Sequence, residues 1–128
     1  MAKVFSNTTK VLALSSSLLL IGVGVRSVLA EDAVVVAPNH YKVEFENEKV
    51  RIIRISYAPG EEAAMHDHKN GVVVNLANYS VQFTNADGTT RPVETSTAGT
   101  FQWAPADMHA SKNIGTTRAE ALYIELKN

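Results

Sequence analysis

His66 and His68 are the side chains whose type and spacing best suit chemistry. They lie two apart. On a β-strand, residues i and i+2 project from one face, so both imidazoles point one way and Asp67 points the other. Neutral imidazole is the commonest metal ligand. A third donor has to come from elsewhere in the chain, and His109, which follows the turn at Pro105, qualifies. Three imidazoles suit a divalent transition metal, with zinc, iron, copper, nickel and manganese all left open. Ligands about 2.0–2.2 Å from one ion would bring their nitrogens to about 3–3.5 Å of one another. The plainer reading, polar residues at turns, stands beside this one, because His-x-His alone is a weak signal. His40 has no partner in sequence and reads as a surface residue.

Neighbouring residues extend the candidate site. Asn75 and Gln102 are polar pocket candidates, and Trp103 reads as core filler before pocket wall, since adjacent strand residues face opposite ways. Met65 and Met108 each precede a histidine and are expected to pack in the core. Asp67 and Asp107 are positioned to orient an imidazole, although a solvated turn is the simpler account. No cysteine occurs, which removes disulfides, thiolate ligands and cysteine nucleophiles.

The elements that must position these residues read as strands. Tyr41, Val43 and Phe45 alternate with Lys42, Glu44 and Glu46, the period-2 pattern of a half-buried strand. Val50 to Tyr57 is rich in β-branched residues and is stopped by Pro59-Gly60. Further strands are expected at 63–68, 72–76, 79–84, 89–95, 100–103, 109–112 and 119–126, with turn residues between them. Pro92 marks the 89–95 segment as an edge or irregular strand. About nine short strands with no convincing helix predict an all-β sandwich or barrel.

Two spacings then combine. Gly60, five residues, His66-Asp67-His68 resembles the first motif of the cupin superfamily. Gly99, five residues, Pro105, then His109, three residues, Asn113 resembles its second motif. Together they cover about residues 41–126. The resemblance implies a jelly-roll β-barrel, the double-stranded β-helix, over 41–128, with a metal held by His66, His68 and His109 in its mouth. Gly60, Gly99, Pro105 and Asn113 would be the structural motif positions, and a homodimer is a frequent assembly. The departures carry information. The first motif normally continues with a Glu, and those positions hold Val72 and Val73. Asp107 stands where the second motif has Gly, and His109 lies one residue closer to Pro105. The missing Glu is shared with thiol dioxygenases of the superfamily, a likeness of ligand set that leaves the substrate open.

The first thirty residues differ from the rest. Lys3 and Lys10 open them, an apolar run of about fifteen residues follows from Val11 to Val25, and Val28-Leu29-Ala30 precedes Glu31. This is the layout of a signal peptide over residues 1–30, shorter in its apolar run than the roughly 20 residues of a spanning helix. Periplasmic or secreted localisation follows as an expectation, with 31–40 as a lead-in. The chain has 128 residues and a formal net charge of −1. Of the 12 Lys and Arg, three fall in the first thirty residues with no acid, so the remainder is net acidic. That balance argues against nucleic acid and anionic membrane as partners. The expected partner is a small molecule. Two function classes remain: a metal-dependent oxidoreductase or dioxygenase, and a non-enzymatic metal or small-ligand binder, including a barrel that has lost its metal.

Overall fold

The computed structural model describes residues 31–127, so the signal-peptide reading of residues 1–30 lies outside the described residues. Nine antiparallel strands are present: β1 Tyr41–Glu46, β2 Val50–Tyr57, β3 Glu62–His68, β4 Gly71–Asn75, β5 Tyr79–Thr84, β6 Glu94–Ser96, β7 Phe101–Ala104, β8 Asp107–Asn113 and β9 Ala119–Leu126. They form a five-stranded sheet in the order β1-β2-β9-β4-β7 and a four-stranded sheet in the order β3-β8-β5-β6.

Most boundaries follow the sequence reading, with three differences. The strand expected at 89–95 shrinks to Glu94–Ser96, in keeping with a proline at 92 that has no N–H for a ladder. The strand expected at 109–112 runs from Asp107 to Asn113, because β8 pairs with β3 on one side and β5 on the other. The lead-in holds one short helical turn, α1 Ala33–Val36, whose start is capped by Asp32 accepting from the Val34 N–H. Ala33 and Ala37 enter the core beside Tyr41, Ile53, Tyr57 and Tyr123, so the lead-in closes the barrel rather than trailing from it.

The motif residues outside the histidines act as fasteners. Gly60 and Gly99 have φ of 82° and 81°, the left-handed region that a side chain disfavours. The Gly60 N–H donates to the Asn113 carbonyl at 2.9 Å, and the Asn113 N–H donates to the Glu61 carbonyl at 3.0 Å. The fully buried Asn113 amide donates to the Tyr57 and Thr117 carbonyls and accepts from the Gly115 N–H. The two halves of the pattern therefore meet in space, and Asn113 is a tie between β2, β8 and the following turn.

The outward face of the five-stranded sheet carries an apolar row. Register places Phe45 opposite Ile52, Ile52 opposite Ile124, Ile124 opposite Val72 and Val72 opposite Trp103. Trp103 is 57% exposed on edge strand β7, which corrects its reading as core filler: its parity on the strand turns the indole away from the core.

Candidate metal centre

Register builds the site. His66 and His68 are two apart on β3, and His109 on β8 is the cross-strand partner of His66. Residues directly opposite one another face the same side of a sheet, so all three rings converge. All three are buried, at 0%, 5% and 8% exposure. Ring centroids lie 4.9, 5.0 and 5.4 Å apart, and one potential ligand atom from each histidine lies within 4.8 Å of the others. That spread is wider than the roughly 3–3.5 Å expected of ligands already on one ion.

Each Nδ1 is directed at an acceptor. His66 Nδ1 lies 2.7 Å from the Ala64 carbonyl, which only accepts, so Nδ1 carries the proton and Nε2 the lone pair. His109 Nδ1 lies 2.8 Å from Asp107, the residue opposite His68, and Arg91 holds that carboxylate with two bonds of 2.6 and 2.9 Å. His68 Nδ1 lies 3.4 Å from Glu125 on β9, itself gripped by Arg51, which also pairs with Asp32 in the lead-in. A carboxylate or carbonyl behind a histidine fixes the tautomer and aims the other nitrogen, as in metal sites generally.

The rings are held by packing as well. Tyr123 stacks on His68 at 4.7 Å and 9°, and Phe83 lies 4.4 Å from His109. Burial pulls His66 and His109 down to about 4, so both rings are neutral at pH 7. The Arg91 hydrogen bonds hold Asp107 well below the usual carboxylate range. Burial pushes Glu125 up, but its bonds from His68 and Arg51 outweigh that and leave it below its ordinary value.

His66 differs from the other two at Nε2. The Tyr41 hydroxyl sits 3.0 Å from it, and Tyr57 donates to Tyr41 at 2.8 Å with Ser111 Oγ 2.8 Å behind. Burial raises the Tyr41 hydroxyl well above its ordinary value, so it stays protonated. Among the described residues, no protein group bonds to Nε2 of His68 or His109, and no buried side-chain nitrogen or oxygen lacks a partner. Those two nitrogens therefore open to space. That space is a cavity of about 90 Å³ lined by His68, His109, Tyr41 and Val73, leading to a mouth of about 270 Å³ at Arg91, Gln102 and Trp103.

The sequence-derived candidates sort clearly. His66, His68 and His109 come together. Gln102 lines both cavities, Trp103 borders only the mouth, and Pro105 ends β7 there. Asn75 lines neither: its amide donates to Thr100 and accepts from Tyr79. Val73 faces the cavity where the absent carboxylate would point, and Val72 faces outward. Asp107 is an orienting partner of His109 rather than a solvated turn, while Asp67 makes no side-chain bond to the trio. His40 is half-buried rather than free on the surface, stacked on Tyr57 at 4.2 Å and bonded to the Ser56 carbonyl. Sequence reading missed Tyr41, Tyr57, Arg51 and Glu125. A signal for Glu125 existed: it follows Ala119, Ala121 and Tyr123 in strict alternation on the buried face of β9, and a buried acid needs a partner.

The residues fit a divalent transition ion: three buried imidazoles aimed from behind, each offering one ligand atom within 4.8 Å of the others, with only the His66 Nε2 already taken by the Tyr41 hydroxyl. No protein-family model matches the chain, and no match was found among curated proteins. Solved structures do match. A cupin domain from Bordetella pertussis Tohama I is 24% identical with a TM-score of 0.63, over 69% of this chain and 92% of that one. An RmlC-like cupin family protein with a double-stranded β-helix fold from Methanocaldococcus jannaschii is 16% identical with a TM-score of 0.54, over 68% and 78%. A cupin superfamily protein from Desulfitobacterium hafniense DCB-2 is 17% identical with a TM-score of 0.50, over 69% and 76%. At these identities the likeness speaks to architecture, and with the two-sheet topology it shows a small cupin-type double-stranded β-helix fold.

Proposed function

We propose that the chain is a metal-binding protein that holds a divalent transition ion on His66, His68 and His109 and takes a small molecule into the adjoining cavity. The observation that carries this is the shared arrangement of the three buried rings, each Nδ1 engaged behind and one ligand atom of each within 4.8 Å of the others. A bound ion would supply Lewis-acid or redox activation of a small ligand, which keeps an oxidoreductase or dioxygenase role and a non-catalytic binding role both in view. Tyr123, Phe83 and Val73 exclude water and hold the rings, while Asp107 and Glu125 orient them.

One observation favours a second reading, a barrel that binds its ligand without metal. His66 Nε2 already has a hydrogen-bond partner in Tyr41. Elemental analysis of purified, reconstituted protein decides between them. Close to one equivalent of a transition metal, lost in the His66→Ala, His68→Ala and His109→Ala variants, supports the first reading. Less than about a tenth of an equivalent sinks it. With metal present, dioxygen uptake across thiols, phenols and diketones separates enzyme from binder. Export is part of the proposal, and a mature N-terminus at Glu31 from a periplasmic or secreted fraction is its test. A homodimer through the free edge of β1 is proposed likewise, and a monomer by light scattering at high micromolar concentration would remove it.

A further inference from the structure

We propose that Tyr41 is a positioning residue that donates a hydrogen bond to a small monovalent anion bound at the histidine trio. The inference rests on the metal reading above and adds the ligand class.

The direction of the hydrogen bonds supports it. Tyr57 donates to the Tyr41 oxygen, so the Tyr41 proton cannot point back. It points to His66 Nε2, the lone pair of which is free because Nδ1 bonds to the Ala64 carbonyl. A cation engaging that lone pair takes away the acceptor. The other oxygen in reach among the described residues, Ser111 Oγ at 3.4 Å, is too distant for a good bond. The O–H of Tyr41, a residue 3% exposed that lines the cavity, is then left without an acceptor, its donor behind it fixed. A buried donor without an acceptor is costly, and a ligand oxygen or nitrogen beside it removes the cost.

Charge and volume define the ligand. Around the three rings, Arg51 and Arg91 face Asp32, Asp107 and Glu125, a balance of one negative charge. A divalent cation makes the centre positive by one, which a monovalent anion neutralises. Glu94 and Glu120 also line the cavity, but Glu94 is exposed and Glu120 half-buried, so solvent screens them. The cavity of about 90 Å³ has room for about three atoms the size of water. Its walls include Tyr41, His68 and His109.

The test uses cobalt(II) and azide. Cobalt is titrated into metal-free wild type and Tyr41→Phe, and azide is then titrated into each cobalt form by visible absorption. Tyr41→Phe should bind cobalt as tightly as wild type or up to tenfold more tightly, because no hydroxyl competes for His66. It should bind azide about tenfold more weakly, since a bond to a charged acceptor is lost. Those opposite signs separate positioning from mere packing, which would weaken both. Tyr57→Phe removes the donor that fixes the Tyr41 proton and releases Ser111 Oγ to compete for it, and should weaken azide about threefold. It is the reserve if Tyr41→Phe fails to fold. Azide affinities within twofold of wild type, or parallel losses of cobalt and azide, would overturn the proposal. Failure of wild type to take up cobalt would instead overturn the metal reading beneath it.

Discussion

The inner wall and the mouth of the barrel fix their histidines by different means. On the inner wall, His66 is held by neutral groups: the Ala64 backbone carbonyl on Nδ1 and the buried Ser111–Tyr57–Tyr41 chain on Nε2. At the mouth, His109 is held by charge: Asp107, steadied by the half-exposed Arg91. Neutral buried bonds leave unsatisfied groups when cut, so they bear on stability. A partly solvated ion pair contributes little to stability but sets ring orientation. The two walls should therefore respond oppositely to perturbation.

The largest expected effect separates them directly. His66→Ala removes a fully buried ring and strands the Tyr41 hydroxyl, and should cost about 2–4 kcal/mol in urea unfolding of metal-free protein. His109→Ala, nearer the mouth, should cost about half as much or less. Equal losses would erase the distinction. In the presence of a chelator, acid should act next. Both histidines are lowered from 6.5 to about 4, so the unfolded chain binds more protons between those values. Stability is then fully present above about pH 6.5 and falls as pH drops toward 4, by on the order of 2–3 kcal/mol per histidine. A flat unfolding midpoint between pH 7 and 4.5 would contradict this.

Smaller effects sharpen the contrast. Asp107→Asn should lower metal affinity about 10- to 100-fold while changing unfolding free energy by less than about 1 kcal/mol. Calorimetric titration and urea melts on the same sample check both halves. Raising salt to about 1 M should weaken the Arg91–Asp107 pair and reduce metal affinity by about two- to threefold, leaving the tyrosine chain untouched. A larger salt effect in Tyr57→Phe than in wild type would reverse the assignment.

How much of this was legible in the sequence depends on distance along the chain. Strand alternation and the Gly60 and Gly99 turns are local, so the all-β architecture and the His66–His68 pairing on one face could be read directly. His109 needed two spaced motifs read together. What was not legible is who stands behind each ring. Glu125 is 57 residues from His68 and Tyr41 is 25 from His66, so both meet their partners through sheet order. Trp103 and His40 were misread for the same reason. Whether a strand is an edge, or a segment folds back under another, is decided by residues far away.

The place of β9 has a consequence in time. It lies in the middle of the five-stranded sheet, between β2 and β4, and pairs Val50 with Leu126 and Tyr57 with Ala119. On a ribosome, residues 41–113 emerge before the strand that must separate two of their own. Closing so long a loop is slow relative to local folding. Until it closes, His66 and His68 have been made but Glu125 has not reached His68 and Tyr123 has not stacked on it. The full three-histidine centre is therefore expected late in folding, and metal uptake during refolding of the purified chain would report when the last strand has gone in.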